Sequence, residues 1–277
     1  MSDPVRNRRA RNLAERALVR LIATYGEIPE FVLLGGLVPD LLCRGAANRH
    51  IGTTDVDVQV DLEIQGGSVN AARLEAALRE ARFVPDGERV WRWRDQAAPA
   101  MVVKVEFLAD LDDVPNYTTV SFDNCEFFGV LNLRGTGFAS QDWEVRRVTA
   151  DLGQGAKRID LRVATLPAYL LAKVHAARGR GLEKDWYDIA YVLLHNDDGG
   201  PVAAAQRVRD RFEAALVGPT ETALVELAAN FTNVEAQGSI AYAATMLSLH
   251  PDLDYDVLAN DAVAAVADFI AALGIER

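Results

Sequence analysis

Hydrophobic and polar residues alternate in the first part of the chain and follow helical spacing in the later part. Alternating or wholly apolar runs predict strands at residues 31–34, 55–58, 90–94 and 101–108. Residues 115–150 are typical of further strands, with no chemistry beyond core and turns. Amphipathic spacing predicts helices at 5–24, 37–44 and 69–82, and again from Leu166 onwards, the last of them at 261–273. We therefore predict an α+β (mixed α/β) protein, with a sheet domain at 1–164 and a helical domain at 165–277.

The predicted strand at 55–58 carries two carboxylates that alternate with valines. Side chains two residues apart in a strand point to the same face, so Asp55 and Asp57 lie together while Val56 and Val58 face a core. Two neighbouring like charges repel each other unless a cation lies between them. Hard divalent cations such as Mg²⁺ prefer carboxylate oxygens. The pattern therefore predicts a divalent metal site.

A glycine pair precedes this strand and suits a phosphate group. Gly35 and Gly36 follow an apolar strand and precede a short helix, where bare backbone can approach a phosphate. Arg49, in the link before Asp55, is placed either to reach a phosphate or to be an exposed loop charge. Thr54 either steadies the metal-bound carboxylates or simply suits a strand. Together these residues predict a phosphate-plus-metal site.

Two groups of motifs resemble a known superfamily. Gly35-Gly36, followed about twenty residues later by Thr54-Asp55-Val56-Asp57, resembles the signature of the DNA polymerase β-like nucleotidyltransferases. The T-x-D-x-D form is similar to the AbiEii/MenT branch, the nucleotidyltransferase toxins of toxin–antitoxin and phage-defence systems. Leu171-Ala172-Lys173, then Arg178, then Lys184-Asp185-Trp186-Tyr187-Asp188 resembles the K…R…[RK]-D-x-x-D segment of that branch. The motifs are scattered over roughly residues 31–195.

The resemblance implies a third metal ligand on a neighbouring strand. Members of the superfamily carry a carboxylate there in a hydrophobic–acid–hydrophobic frame, and Glu106 is the match in this chain. The residues alone leave another possibility open, because Glu106 could pair with Lys104 or with a neighbouring arginine. With Asp55 and Asp57, Glu106 would bind two Mg²⁺ ions and the nucleoside triphosphate (NTP) substrate.

The second motif group concerns a lysine and two aspartates. Lys173 follows an apolar turn, so we expect it to point inward and to need an anionic partner. Asp185 and Asp188 lie on one helix face. The resemblance implies that Lys173 counters the triphosphate charge and that the two aspartates position Lys173 or the acceptor. A purely structural Lys173–Asp188 pair that fastens two helices carries similar weight.

Composition limits the compartment and the partners. No apolar run approaches the ~20 residues that a membrane span requires. The N-terminal residues lack a signal-peptide core, and Cys43 and Cys125 are the only cysteines, which predicts a cytoplasmic protein. The net charge of −11 does not favour a general nucleic-acid binder. Only the basic clusters Arg6–Arg11, Arg79–Arg94 and Arg178–Lys184 could form an RNA groove.

The resemblance implies a specific activity and specific partners. We expect a toxin that transfers a nucleoside monophosphate from an NTP to an acceptor hydroxyl, with the 3′ end of tRNA as acceptor and a cognate antitoxin protein as partner. One alternative is transfer to a small molecule such as a cationic aminoglycoside. Another is a non-catalytic interaction module with the same fold, against which the retained acids count, since they repel one another.

Overall fold

The computed structural model describes residues 7–60, 68–97, 102–153 and 155–275. Arg6 and Met101, which belong to predicted elements, lie outside these ranges. The chain divides into a sheet unit, Met1–Val38 with Gly52–Ala164, and a helical unit, Pro39–Ile51 with Thr165–Arg277. The sequence pattern alone leaves Pro39–Ile51 with the sheet domain. The predicted α+β class is confirmed.

The described residues form nine strands and ten α-helices. The strands are β1 (Phe31–Leu34), β2 (Asp55–Val60), β3 (Phe83–Asp86), β4 (Arg89–Asp95), β5 (Lys104–Ala109), β6 (Thr119–Ser121), β7 (Gly129–Asn132), β8 (Trp143–Asp151) and β9 (Ala156–Ala164). The helices are α1 (Arg8–Tyr25), α2 (Pro39–Leu42), α3 (Ser68–Glu80), α4 (Phe138–Gln141), α5 (Leu166–Arg180), α6 (Glu183–His195), α7 (Pro201–Phe212), α8 (Pro219–Ala229), α9 (Gln237–Leu249) and α10 (Tyr255–Leu273).

The sheet is mixed, and its centre carries the acidic strand. Its strand order is β3-β4-β5-β2-β1-β9-β8, with β7 beside the end of β5 and β6 beside β7. The β2 strand pairs antiparallel with β1 and parallel with β5, while β9 runs parallel to β1. The β8–β9 pair is an antiparallel hairpin at one edge of the sheet.

One face of the sheet is buried against helix α1. The alternating residues Val56, Val58, Val105 and Phe107 are fully buried, as expected for a strand pattern of period two. Helix α1 packs against β2, β8 and β9. It begins at Asn7, whose side-chain oxygen accepts a hydrogen bond from the Ala10 N–H at 2.9 Å. The acidic residues of β2 therefore lie on the face away from this core.

The helical unit consists of α2 and α5–α10 and is rich in buried alanine, leucine and tyrosine. Hydrogen bonds fasten the segment Pro39–Ile51 to α6 and to the residues that follow it. The Tyr187 hydroxyl accepts a hydrogen bond from the Ile51 N–H at 3.1 Å, and the Tyr191 hydroxyl donates one to the Asn48 carbonyl at 2.8 Å. The Asp197 carboxylate accepts from the N–H groups of Arg44 and Gly45. Among the described helices, none is both long and apolar enough to cross a membrane.

Two predicted helix bounds differ from those observed. The predicted helix at 37–44 is instead a 3-10 turn, Gly35–Leu37, followed by the short α2. The C-terminal helix, predicted at 261–273, already begins at Tyr255, because the Asp254 side chain accepts hydrogen bonds from two N–H groups of its first turn.

Candidate functional site

Three carboxylates lie together with the basic residues Arg92, Arg94 and Lys104 on one face of the sheet. Asp55 and Asp57 are two residues apart in β2 and share a face. The strand registers place Asp57 beside Glu106 of β5, and Glu106 beside Arg92 of β4. Because neighbouring strands are about 4.8 Å apart, the row from Asp57 to Arg92 spans roughly 10 Å. We call Asp55, Asp57, Glu106 and Arg92 the carboxylate face.

The start of β2 is fixed by threonines. The Asp55 N–H donates a hydrogen bond to Thr53 Oγ1 at 3.0 Å, and the Thr54 carbonyl accepts one from the Lys104 N–H at 3.2 Å. Both threonines are buried. One carboxylate oxygen of Asp55, Oδ1, is buried and has no hydrogen-bond partner. A buried carboxylate oxygen without a partner is costly, and a bound cation would remove that cost.

Glu106 forms an ion pair with Arg92. The Arg92 Nη2 atom lies 2.7 Å from Glu106 Oε1, and Arg92 also approaches Asp86 at 3.7 Å. Burial and the charge of Asp57 raise the pKa of Glu106 to about 7, although the positive charge of Arg92 opposes this rise. The positive charges of Arg92 and Lys104 therefore oppose the rise in the pKa of Glu106 without cancelling it.

The glycine pair lies directly against two of these residues. Gly35 has φ +79°, and a Cβ atom at this position would lie 2.0 Å from Asp57 Oδ2. A Cβ atom at Gly36 would lie 2.6 Å from the Cβ of Thr53. Only glycine allows the turn to approach β2 this closely. This packing explains the glycines without a ligand, so their predicted contact with a phosphate stays a prediction.

The carboxylate face fits a hard cation in its chemistry but is not closed around one. Among the described residues, no three acidic, histidine or cysteine groups are gathered as a metal-binding set. The carboxylate of Glu106 is instead held by Arg92. Asp55 and Asp57 provide the oxygen ligands that Mg²⁺ prefers, and Glu106 would join them once it leaves Arg92. The predicted metal site therefore stays a prediction that the donor set supports.

The predicted lysine and aspartates meet in the helical unit. Lys173 Nζ of α5 lies 3.1 Å from Asp185 Oδ1 and 2.7 Å from Asp188 Oδ2, both in α6. Arg180 binds both oxygens of Asp185, at 2.7 and 2.9 Å. Both aspartates are fully buried. We call Lys173, Arg180, Asp185, Asp188 and His50 the buried ion cluster.

The buried ion cluster is balanced in charge. Burial alone would lower the pKa of Lys173, but Asp188 and Asp185 raise it, so the lysine stays charged. Burial alone would raise the pKa of Asp185, but Lys173 and Arg180 lower it. The structural alternative, an ion pair that fastens two helices, is therefore present. The predicted contact of Lys173 with a triphosphate stays a prediction.

His50 also belongs to the cluster, although no pattern in the chain marks it as a chemical residue. Its Nε2 atom lies 2.9 Å from Asp188 Oδ1, and its ring stacks on Tyr187 with centroids 5.0 Å apart. It thereby fastens the segment Pro39–Ile51 to α6. The neighbouring Arg49, predicted as a possible phosphate ligand, is exposed in the same segment.

The open alternative that Glu106 pairs with a neighbouring arginine is the one observed, with Arg92 as the partner, whereas Arg180 was not considered as a partner of Asp185. The signal for Arg92 was its alternation with Trp91 and Trp93, which put it on the polar side of β4. Arg180 belongs to the basic cluster Arg178–Lys184, which was considered only as part of an RNA groove. Comparisons of the chain with protein-family models, with curated proteins and with solved structures find no match. The resemblance to nucleotidyltransferases therefore rests on the motifs of the chain itself.

Proposed function

We propose that the protein is a Mg²⁺-dependent nucleotidyltransferase, which transfers a nucleoside monophosphate from an NTP to an acceptor hydroxyl. The observation that carries this proposal is the grouping of three carboxylates on the carboxylate face, one of which has a buried oxygen without a partner. Asp55, Asp57 and Glu106 share one face with Arg92, and Asp55 Oδ1 is buried without a partner. A non-catalytic module would have no use for such mutually repelling acids.

Each residue of the carboxylate face, together with Thr53, has a definite role in the proposed reaction. Asp55 and Asp57 would hold Mg²⁺, and Glu106 would join them and favour loss of the acceptor hydroxyl proton. When bound, Mg²⁺ offsets the triphosphate charge and stabilises the entering and leaving oxygens of an in-line displacement. Thr53 would fix the backbone of Asp55 through its side-chain hydrogen bonds. Arg92, once released by Glu106, would be available to a phosphate oxygen.

The resemblance to the AbiEii/MenT toxins directs the proposal to an RNA acceptor. The 3′ end of tRNA is the acceptor we propose, and inhibition of growth is the expected result of the transfer. A cognate antitoxin protein would then have to restrain the enzyme. Induced expression of the wild-type protein should stop bacterial growth, whereas expression of an Asp57→Asn variant should not.

The direct test is a labelling experiment with purified protein. Wild type is incubated with Mg²⁺, total tRNA and each α-labelled NTP in turn. We expect label on tRNA with one or a few nucleotides. Asp57→Asn, which keeps the side-chain shape, should lose about a hundredfold or more in rate. Asp113→Asn is the matched control, because Asp113 is an exposed aspartate elsewhere in the same sheet unit.

The possible results separate the alternatives. Label on tRNA that depends on Asp57 supports the proposal and identifies the nucleotide. Binding of Mg²⁺-NTP without label on RNA would indicate that the acceptor is a small molecule. If calorimetry detects no Mg²⁺-NTP binding by the wild-type protein, the enzyme proposal is wrong and the protein is an interaction module.

A further inference from the structure

The β8–β9 hairpin presents an open face of basic and aromatic side chains at the edge of the sheet. Its register pairs Val145 with Arg162, Arg147 with Asp160 and Thr149 with Arg158, so these side chains share one face. Trp143 and Val145 are 39% and 51% exposed. The other face carries the buried Val148, Ile159, Leu161 and Val163. We call Trp143, Val145, Arg147, Arg158 and Arg162 the hairpin face.

The chemistry of this face differs from that of the whole chain. The Arg162 guanidinium lies over the Trp143 ring, 4.6 Å from its centroid. Arg147 is paired with Asp160 at 2.9 Å, whereas Arg158 and Arg162 have no ion pair among the contacts of the described residues. The side of the hairpin that bears this face carries three arginines and two aspartates, Asp151 and Asp160, and so has a small net positive charge, while the chain as a whole carries −11. The positive charge is therefore local to this edge.

The hairpin face and the carboxylate face belong to the same side of the sheet. Val32 of β1 lies beside Gln59 of β2 and beside Arg162 of β9, so Arg162 points to the side of Asp57. By continuation of this register, Trp143, Ala164, Leu34 and Asp57 form one row. Three strand spacings separate Trp143 from Asp57, which is roughly 14 Å.

The surface between the two faces is not continuous. Leu34 and Ala164 are buried, and α4 packs against β1, β2 and β9. The hairpin face is therefore a separate contact area rather than an extension of the carboxylate face. A flexible ligand that occupies both must be longer than a single nucleotide.

We propose that the hairpin face binds single-stranded RNA. A base would stack on Trp143, and the guanidinium groups of Arg158 and Arg162 would contact phosphates. A protein partner fits less well, because two exposed apolar side chains are far from the ~800 Å² per partner of a specific interface. That the bound strand is the acceptor of nucleotidyl transfer rests on the proposed function; the binding itself does not.

The test measures RNA binding in the absence of transfer. Fluorescence anisotropy of a labelled oligouridine about 12 nucleotides long is followed in EDTA, without NTP, over a range of salt concentrations. Trp143→Ala should weaken binding roughly 5- to 100-fold by loss of stacking. The double variant Arg158→Gln/Arg162→Gln should lose two phosphate contacts. Each contact contributes ~0.7 to the slope of the logarithm of the binding constant against the logarithm of the salt concentration, so the slope should become shallower by about 1.4.

Lys157→Gln is the matched control, because Lys157 neighbours Arg158 in β9 and points to the opposite face. It should leave the salt slope nearly unchanged. Equal effects of the control and the double variant, or no binding of the oligonucleotide by wild type, would overturn the inference. Circular dichroism confirms that each variant is folded.

RNA binding without any nucleotide transfer would count against the proposed function and would leave this inference standing. Transfer to RNA that is insensitive to all hairpin variants would remove the inference alone.

Discussion

Substitution of Glu106 by glutamine should stabilise the sheet unit at neutral pH. Glutamine resembles the protonated carboxyl group in shape but cannot ionise. In the folded protein, burial and the charge of Asp57 raise the pKa of Glu106 from 4.5 to about 7. At pH 8 the wild-type protein must hold this carboxylate in its charged form beside two other acids, and the variant does not.

The size of the effect follows from the pKa change. One pKa unit corresponds to about 1.4 kcal/mol, so the rise in the pKa of Glu106 from 4.5 to about 7 corresponds to about 3 kcal/mol. Between pH 4.5 and 7 the folded state binds more protons than the unfolded state. The free energy of unfolding of metal-free protein therefore falls as pH rises through this window. Below pH 4.5 the contribution of Glu106 is fully present, and above pH 7 it is lost.

Hydrogen exchange of peptides that cover β2 and β5 measures this local free energy. We compare wild type with Glu106→Gln between pH 4.5 and 8 in EDTA, with exchange rates corrected for the intrinsic effect of pH. The wild-type value should fall by about 3 kcal/mol relative to the variant across this range. Mg²⁺ should remove most of the difference, because it binds the ionised carboxylate.

Two outcomes would contradict this prediction. If Glu106→Gln is less stable than wild type at pH 8, the ion pair with Arg92 outweighs the repulsion from Asp57, and the carboxylate face is a structural cluster. If Mg²⁺ protects β2 and β5 equally in both proteins, Glu106 does not take part in metal binding. Glu126→Gln is a suitable control, since Glu126 is exposed in the same unit.

Three further substitutions test the packing of the two clusters. Lys173→Met leaves Asp188 buried without its lysine, so urea unfolding of the helical unit should show a loss of about 3–5 kcal/mol. His50→Ala removes a buried hydrogen bond to Asp188 and should lower stability in the same assay by about 1–3 kcal/mol, with partial rescue by His50→Gln. Gly35→Ala places a Cβ atom 2.0 Å from Asp57 Oδ2 at φ +79°, so calorimetry should show loss of Mg²⁺-NTP binding even if the variant folds.

Local patterns predicted those parts of the fold that depend on short stretches of chain. The strand Phe31–Leu34 is observed where the apolar run placed it, and the alternation of Asp55 and Asp57 with valine correctly predicted which residues share a face. Period-two and period-3.6 patterns depend only on neighbouring residues, so one sequence is enough to detect them.

Contacts between distant segments were beyond the reach of these patterns. Nothing local indicates that Glu106 lies beside Asp57, because this depends on the parallel register of β2 and β5. His50 looked like an ordinary link residue, and its contact with Asp188 spans 138 positions of the chain. The hairpin face was missed for the same reason, since the strand order decides which side of β8 is open.

The balance of charge distinguishes the two acidic groups more clearly than the motifs do. In the buried ion cluster, Asp185 and Asp188 form hydrogen bonds with Lys173, Arg180 and His50. Every charge of this cluster has a partner, so the cluster needs no ligand to be stable. Removal of one member would leave a buried charge without its partner, and the desolvation cost of that charge would no longer be offset.

The carboxylate face is less completely paired, because one buried oxygen of Asp55 has no partner and the pKa of Glu106 is raised although Arg92 and Lys104 oppose the rise. Removal of a charge there should stabilise the protein, whereas removal of a charge from the ion cluster should destabilise it. The opposite signs expected for Glu106→Gln and Lys173→Met follow from this contrast alone. If these opposite signs are measured, the acids of β2 and β5 are retained at a cost in stability, which is the result that the proposed cationic ligand predicts.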